Sequence, residues 1–333
     1  RNTASNDDVN DFFRTGATFN NSISVSGGTE TVRTYFSYAN SYSDGMMRNN
    51  NYKRNTLSFR QSYSLFNKKL NVDLSLNYVQ AKTKNRPGGG TVMNPLYDLY
   101  RMPRNVDLNY YKENYYIENG KWTSNEQSYF DSKNNKWTTG TVELTGPKQE
   151  WAYWQNGMNN PYWMVNTRNS ISEEERAYGY ISANYQIIDG LKIQGRLSLD
   201  RTKMKGTSER MATTWNISAM EDYGMYGQDL NWINEVYVDA LLSYDKQIKD
   251  FSISATTGWT GHTLKGETQK LWAKATTANW KHDTMPTLIN FFEPSVSQGN
   301  VSERSYTLSS NWDKGLLFTG QIGWQEKVYL EGS

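Results

Sequence analysis

The stretch LSFRQSYSLFNKKLNVDLSLNY, from Leu57 to Tyr78, decides the fold. Leu57, Phe59, Tyr63 and Leu65 share one parity, interleaved with Ser58, Arg60, Ser62 and Ser64. After Phe66-Asn67-Lys68-Lys69 the run restarts, with Leu70, Val72, Leu74, Leu76 and Tyr78 alternating with Asn71, Asp73, Ser75 and Asn77. Successive side chains of a strand point to opposite faces, so each run predicts a strand with one apolar and one polar face. The four residues between them predict a short turn.

The same rhythm recurs along the chain and predicts about ten strands. Residues 14–26 and 29–42 form a pair turning at Gly27-Gly28, since glycine supplies the positive φ of a tight hairpin. Residues 177–187 and 191–201 turn at 188–190, and 232–244 and 251–259 turn across 246–250. A fifth pair begins at Leu316, turns near Gln325-Glu326 and continues through Leu330. Residues 45–54, 82–176, 202–231 and 261–313 are expected to be long loops. Short turns at one end and long loops at the other predict an all-β fold, a transmembrane antiparallel up-and-down β-barrel. Its apolar face would meet lipid and its polar face would line the lumen. A soluble lectin-like sandwich also alternates, but it does not explain why every long loop falls on one side.

Composition agrees. Only 36% of the 333 residues are hydrophobic and mean hydropathy is -0.82, yet 14% are aromatic, with 24 Tyr and 12 Trp. Disordered chains are poor in aromatics, whereas a wet-lumened barrel with aromatic girdles has both properties. No run approaches the 18 or so apolar residues of a membrane-spanning helix. The 36 basic and 34 acidic residues nearly balance, which gives no reason to expect nucleic acid. The absence of cysteine removes disulfides and thiolate chemistry. No signal peptide opens the sequence, and the expectation is one part of a single barrel domain spanning 1–333, with other parts outside it.

Candidate binding residues concentrate in the segment 82–176. Trp151, Tyr153, Trp154, Tyr162 and Trp163 could stack on sugar rings, with Gln155, Asn156, Asn159 and Asn160 meeting hydroxyls. Packing inside the loop or against a partner is the alternative. Gly88-Gly89-Gly90 lacks the Lys-Ser/Thr of a phosphate loop and reads as a turn. His262 and His282, both placed in or beside the fourth loop, form no paired-histidine zinc motif, and no nucleophile elbow occurs, so no enzyme and no cofactor are expected. Arg33, Arg60, Asp73, Lys192, Arg196, Asp200 and Asp239 fall on lumen parities, where charge must be paired or wetted. Of these, Arg196 and Asp200 are carried as candidate substrate contacts, with inter-strand ion pairing as the plainer reading.

Several segments resemble the SusC/RagA type of TonB-dependent outer-membrane transporter from the Bacteroidota. They are Phe13-Arg14-Thr15-Gly16, Ser24-Val25-Ser26-Gly27-Gly28, Tyr35-Phe36-Ser37-Tyr38, Asp44-Gly45, Tyr52-Lys53-Arg54-Asn55, Asn160-Pro161-Tyr162-Trp163 and the run from Gly190-Leu191-Lys192 through Gly195-Arg196 to Asp200. The resemblance implies a barrel of about 22 strands, of which this chain supplies roughly the first half, with the amino-terminal plug and later strands elsewhere. It further implies a SusD-type surface lipoprotein as lid and energy from TonB acting on the plug. The expected function is active import of oligosaccharides across the Gram-negative outer membrane, or of peptides, with possible pairing of two transporter-lipoprotein units. A passive porin would have shorter loops, and a surface adhesin would have no plug.

Overall fold

The computed structural model describes residues 9–88, 90, 93–131, 133–152, 157–216, 219–221, 224–274, 301–325 and 327–333. The first four strands, β1 (Ala17–Gly28), β2 (Val32–Asp44), β3 (Asn51–Leu65) and β4 (Leu70–Lys84), are each antiparallel to the next. Helices α1 (Pro95–Arg101) and α2 (Leu108–Glu113), hairpin strands β5 (Tyr116–Asp131) and β6 (Lys136–Gln149), and helix α3 (Pro161–Thr167) follow. The sheet resumes with β7 (Asn169–Ile188) and β8 (Leu191–Arg210). A small pair, β9 (Thr214–Asn216) and β10 (Ala219–Glu221), precedes β11 (Met225–Ile248), β12 (Phe251–Lys274), β13 (Val301–Trp324) and β14 (Val328–Gly332). The sheet order β1-β2-β3-β4-β7-β8-β11-β12-β13-β14 is an uninterrupted up-and-down meander of ten strands.

Register places the apolar residues of neighbouring strands side by side. Val25, Phe36, Phe59, Leu76, Gly179, Leu199 and Val236 form one continuous row across seven strands. Around it Leu76, Ile181 and Leu199 remain about half exposed. An uncovered apolar area of this extent marks a surface that meets something other than water. On four strands the apolar parity runs nine to eleven residues from the short turn, broken by Gln61 alone: 57–65, 70–78, 177–187 and 191–199. About that many residues carry a tilted strand across a hydrocarbon layer.

Three sequence expectations are corrected. Gly27 and Gly28 end β1, and the turn is Thr29 to Thr31, closed by the Thr29 amide donating to the Val32 carbonyl at 2.6 Å. Glycine is still required at 28, where φ is +156° and a Cβ would lie 2.1 Å from the Val32 oxygen. The strands are also longer than the alternation suggested, with β11, β12 and β13 each 24 residues long. His262 therefore lies within β12, not in a loop. Finally, the described residues between β4 and β7 include three helices and a hairpin where one long loop was expected, and the ends of the 82–176 range belong to β4 and β7. His282, Gly89 and residues 275–300 lie outside the described residues.

The buried core sits at the long-loop end of the sheet. Phe12, Met47, Leu99, Leu108, Tyr162 and Val165 pack together, joining the approach to β1, the β2–β3 loop and all three helices. Val106, Trp151 and Met158 form a second cluster beside it.

Candidate functional site

The helices that close this end start from local sequence signals. Asn94 caps α1 by accepting the Leu96 amide at 3.1 Å, Asp107 caps α2 through the Tyr110 amide at 2.9 Å, and Asn160 caps α3 through the Tyr162 amide at 2.8 Å. In α1 and α3 proline follows the cap, where its missing N–H costs nothing. Asn94-Pro95 and Asn160-Pro161 therefore announce helices inside a segment that period-two reading leaves as loop. That signal was available in the sequence and was missed.

The candidate binding residues fall into three groups. Trp151, Tyr162 and Trp163 are 2%, 1% and 1% exposed. Trp163 donates its indole N–H to Thr214 Oγ1 at 2.9 Å, and Phe12 packs on Tyr162 at 5.1 Å between centroids. Packing within the loop assembly describes these three, and in this arrangement no ligand reaches their faces. Tyr153, Trp154, Gln155 and Asn156 lie outside the described residues. Asn159 and Asn160, expected to meet hydroxyls, are buried and fully engaged. The Asn159 side chain accepts from Gln149 Nε2 at 3.1 Å and from the Trp215 amide at 2.8 Å, while donating to the Trp215 carbonyl at 3.0 Å. Gln149 also donates to the Thr213 carbonyl and accepts the Asn160 amide at 3.0 Å. This network ties the loop after β4 to the loop after β8.

Asp98 stands at its edge, accepting the Asn159 amide at 3.1 Å while only 4% exposed. Burial pushes its carboxyl up from 3.8 to about 6, opposed by the Asn159 hydrogen bond and the Arg101 charge. A raised carboxyl binds protons more tightly in the folded state, so the cost of its charge is absent below the unfolded pKa. That cost is fully present above about pH 6.

Arg196 and Asp200 occupy the polar face, and the structure does not bring them together. Arg196 pairs with Asp239 at 2.7 Å, and Asp239, with its side chain 0% exposed, also accepts from Gln194 at 3.2 Å. Asp200 receives Arg176, whose Nε lies 3.0 Å and 3.1 Å from its two oxygens. Each arginine also lies over a tyrosine, Arg176 over Tyr178 and Arg196 over Tyr237. One strand further, His262 lies 2.8 Å from Glu235 and 3.5 Å from Asp313. The inter-strand ion pairing read as the plainer alternative is what these charges do. The result is a ladder of charges and tyrosines crossing β7, β8, β11, β12 and β13. A hollow of about 420 Å³ on this face is lined by Tyr178, Tyr180, Asp200, Glu235 and Tyr237. Arg33, Arg60 and Lys192 share the face and make no ion pair among the described residues.

No protein-family model matches the chain, and no curated protein matches it in sequence. Solved structures do. A chain of the RagAB peptide transporter is 16% identical over 94% of this chain and 31% of its own, with a TM-score of 0.61. The RagAB peptide importer in its open-open state is 17% identical over 96% and 31%, with a TM-score of 0.64. Its closed-closed state is 17% identical over the same shares, with a TM-score of 0.63. At these identities the likeness is one of fold, and the chain spans about a third of the length of the chains it matches.

Two outcomes follow from this geometry. Asp98→Asn keeps an acceptor for the Asn159 amide and removes the buried charge. It should strengthen the loop assembly by up to about 3 kcal/mol at pH 7.5 and by nothing near pH 3.5, read as slower amide exchange in α1 and α3. At the ion pair the two partners should differ. Arg196→Met strands a fully buried carboxylate and should cost about 3–5 kcal/mol. Asp239→Asn leaves a half-exposed guanidinium that water can solvate, and should cost less than half of that in thermal or urea unfolding.

Proposed function

We propose that this chain is part of an outer-membrane, TonB-dependent importer of the SusC/RagA type, which captures oligomeric nutrients with a surface lipoprotein and passes them along a polar lumen wall. The observation that carries the reading is the two-faced sheet. One face is an uncovered apolar band of nine to eleven residues, the other is a charged and hydroxylated wall, and the long connections among the described residues lie at one end. The sequence resemblance and the fold likeness to RagAB both support it.

Of the two substrate classes, we favour peptides over oligosaccharides. Trp151, Tyr162 and Trp163 are committed to the core, so among the described residues the stacking platform that pointed to sugars is spent on packing. The wall instead presents paired charges of both signs beside tyrosine hydroxyls, which suit backbone amides, chain termini and charged side chains. Arg196 and Asp200 remain the nominated contacts in that wall, through the faces their partners leave open. In this reading TonB force, delivered through a plug outside this chain, opens the path, and the exposed Met46, Tyr100 and Tyr110 of the loop assembly offer contacts for the lipoprotein. Pairing of two such units would be compatible with an uncovered outer face.

The membrane placement is tested by single cysteines in this cysteine-free chain. In native membranes a water-soluble thiol reagent should label Ser198→Cys and Lys203→Cys and spare Leu197→Cys. Equal labelling at 197 and 198 would sink the reading. For partner and cargo, the intact protein extracted in mild detergent should carry a surface lipoprotein in near-equal amount, with bound peptides identifiable by mass spectrometry. Bound glycan would restore the oligosaccharide reading, and a barrel emerging alone would remove the lidded importer.

A further inference from the structure

On the apolar face, four adjacent strands change character at one level. Beyond the apolar stretches of β3, β4, β7 and β8, the next residues of the same parity are charged or amidated. They are Asn55 and Lys53, Gln80 and Lys82, Glu175 and Glu173, then Arg201, Lys203 and Lys205. Register sets Lys53 opposite Lys82, Lys82 opposite Glu173, and Glu173 opposite Lys205. All of them except Arg201 edge a hollow of about 350 Å³, which Glu174 also lines. Five cations meet two carboxylates, and one ion pair forms, Lys82 to Glu173 at 2.7 Å. Lys53, Arg201, Lys203 and Lys205 make no ion pair or hydrogen bond among the described side chains.

Lys53 opposite Lys82 is the one like-charged pair, an arrangement that destabilises a sheet, whereas Glu173 and Glu175 face Lys205 and Lys203 and leave the group with a net excess of three cations. The patch is not a generic consequence of leaving the apolar band, because the same rows continue onto β11 as Trp232 beside Lys203 and Leu230 beside Lys205. Directly beneath the cations, on the same four strands, an apolar groove of about 590 Å³ runs between Leu57, Leu76, Tyr78, Ile181 and Leu199, with Arg201 at its upper edge. Gly179 makes the depression, since a Cβ there would lie 2.1 Å from the Ser75 oxygen. A cationic head site stacked on an acyl-sized groove fits one kind of molecule.

We propose that this patch binds a phosphorylated lipid of the surrounding leaflet, its phosphate among Lys53, Lys203 and Lys205 and an acyl chain in the groove over Gly179. Lysine suits this role as a mobile point charge that needs no fixed fork geometry. The proposal rests on the outer-membrane reading above.

The test uses the intact protein extracted from its own outer membrane, washed in detergent until bulk lipid is gone, with retained lipid and phosphorus measured per barrel. The unaltered protein should keep a phosphorylated lipid that millimolar inorganic phosphate does not displace. Lys53→Gln/Lys203→Gln/Lys205→Gln should retain it roughly a hundredfold less well, from the usual contribution of each lysine near an anionic surface. Arg33→Gln/Arg60→Gln/Lys192→Gln, the same charge loss on the polar face, should retain it unchanged. Equal retention by both triple variants, or displacement by inorganic phosphate, overturns the proposal. A second measurement needs no variant. Amine acetylation of Lys53, Lys203 and Lys205 should slow in bilayers of phosphorylated lipid relative to uncharged lipid, and equal rates overturn the proposal. A protein absent from the outer-membrane fraction would instead defeat the reading on which this rests. One that fractionates there, shifts on heating and holds no lipid defeats the lipid site alone.

Discussion

Backbone amides and carbonyls removed from water must find partners, and an apolar layer offers none. An antiparallel meander meets that demand strand by strand, because each chain segment satisfies its neighbour through the ladder and needs only a short turn to begin the next. Much else in this chain follows. Once the ladder takes the backbone, the side chains are free to divide by parity, and one face can be left apolar while the other carries Arg196, Asp200, Asp239 and His262. The pairing of these charges also follows, since a charge fixed on a sheet has a cross-strand neighbour about 5 Å away and gains most when that neighbour is its counterion.

Parity is written in the sequence, and that is why strands, turns and the sidedness of the loops were legible from Leu57 to Tyr78 onward. Two things were not. Alternation fades as β8 and β12 leave the apolar band, because both faces become largely polar there. Lys203, Lys205, Glu267 and Gln269 carry no hydrophobic contrast to mark a strand, so the ladder runs about ten residues past the point where the pattern stops. The loop assembly was hidden for the opposite reason. Its order comes from contacts distant in sequence, such as Gln149 with Thr213 and Phe12 with Tyr162, which no local period encodes. The aromatic block shows the cost. Tryptophan and tyrosine in a polar segment look like an exposed binding surface until the partners that bury them are known, although Asn94-Pro95 and Asn160-Pro161 did mark ordered helices around them.

The two regions stabilise themselves by different means. The sheet holds few buried side chains and depends on hydrogen bonding, and the described residues leave its apolar face uncovered. The loop assembly holds nearly all of the large buried residues and a dense polar network. In such a network the members share partners, so loss of one exposes several buried groups at once. Asp98 is the least comfortable member, a carboxylate whose pKa burial raises to about 6. Its retention in place of an amide concentrates the pH sensitivity of the assembly at one position.

Strand length constrains where capture can occur. Twenty-four residues at about 3.3 Å each extend roughly 80 Å, and even tilted by about 45° they rise well beyond a hydrocarbon layer of about 30 Å. In the proposed orientation the upper halves of β11, β12 and β13 would therefore stand in water as a wall. The helices and the β5–β6 hairpin join that end through packed residues. A ligand arriving there would meet a surface whose shape is fixed before binding. Less ordering entropy would then be lost on capture than with unstructured loops. Such a mouth can discriminate by the spacing of its charges, and the ladder from Arg176 to Asp313 holds those charges at intervals set by strand pairing.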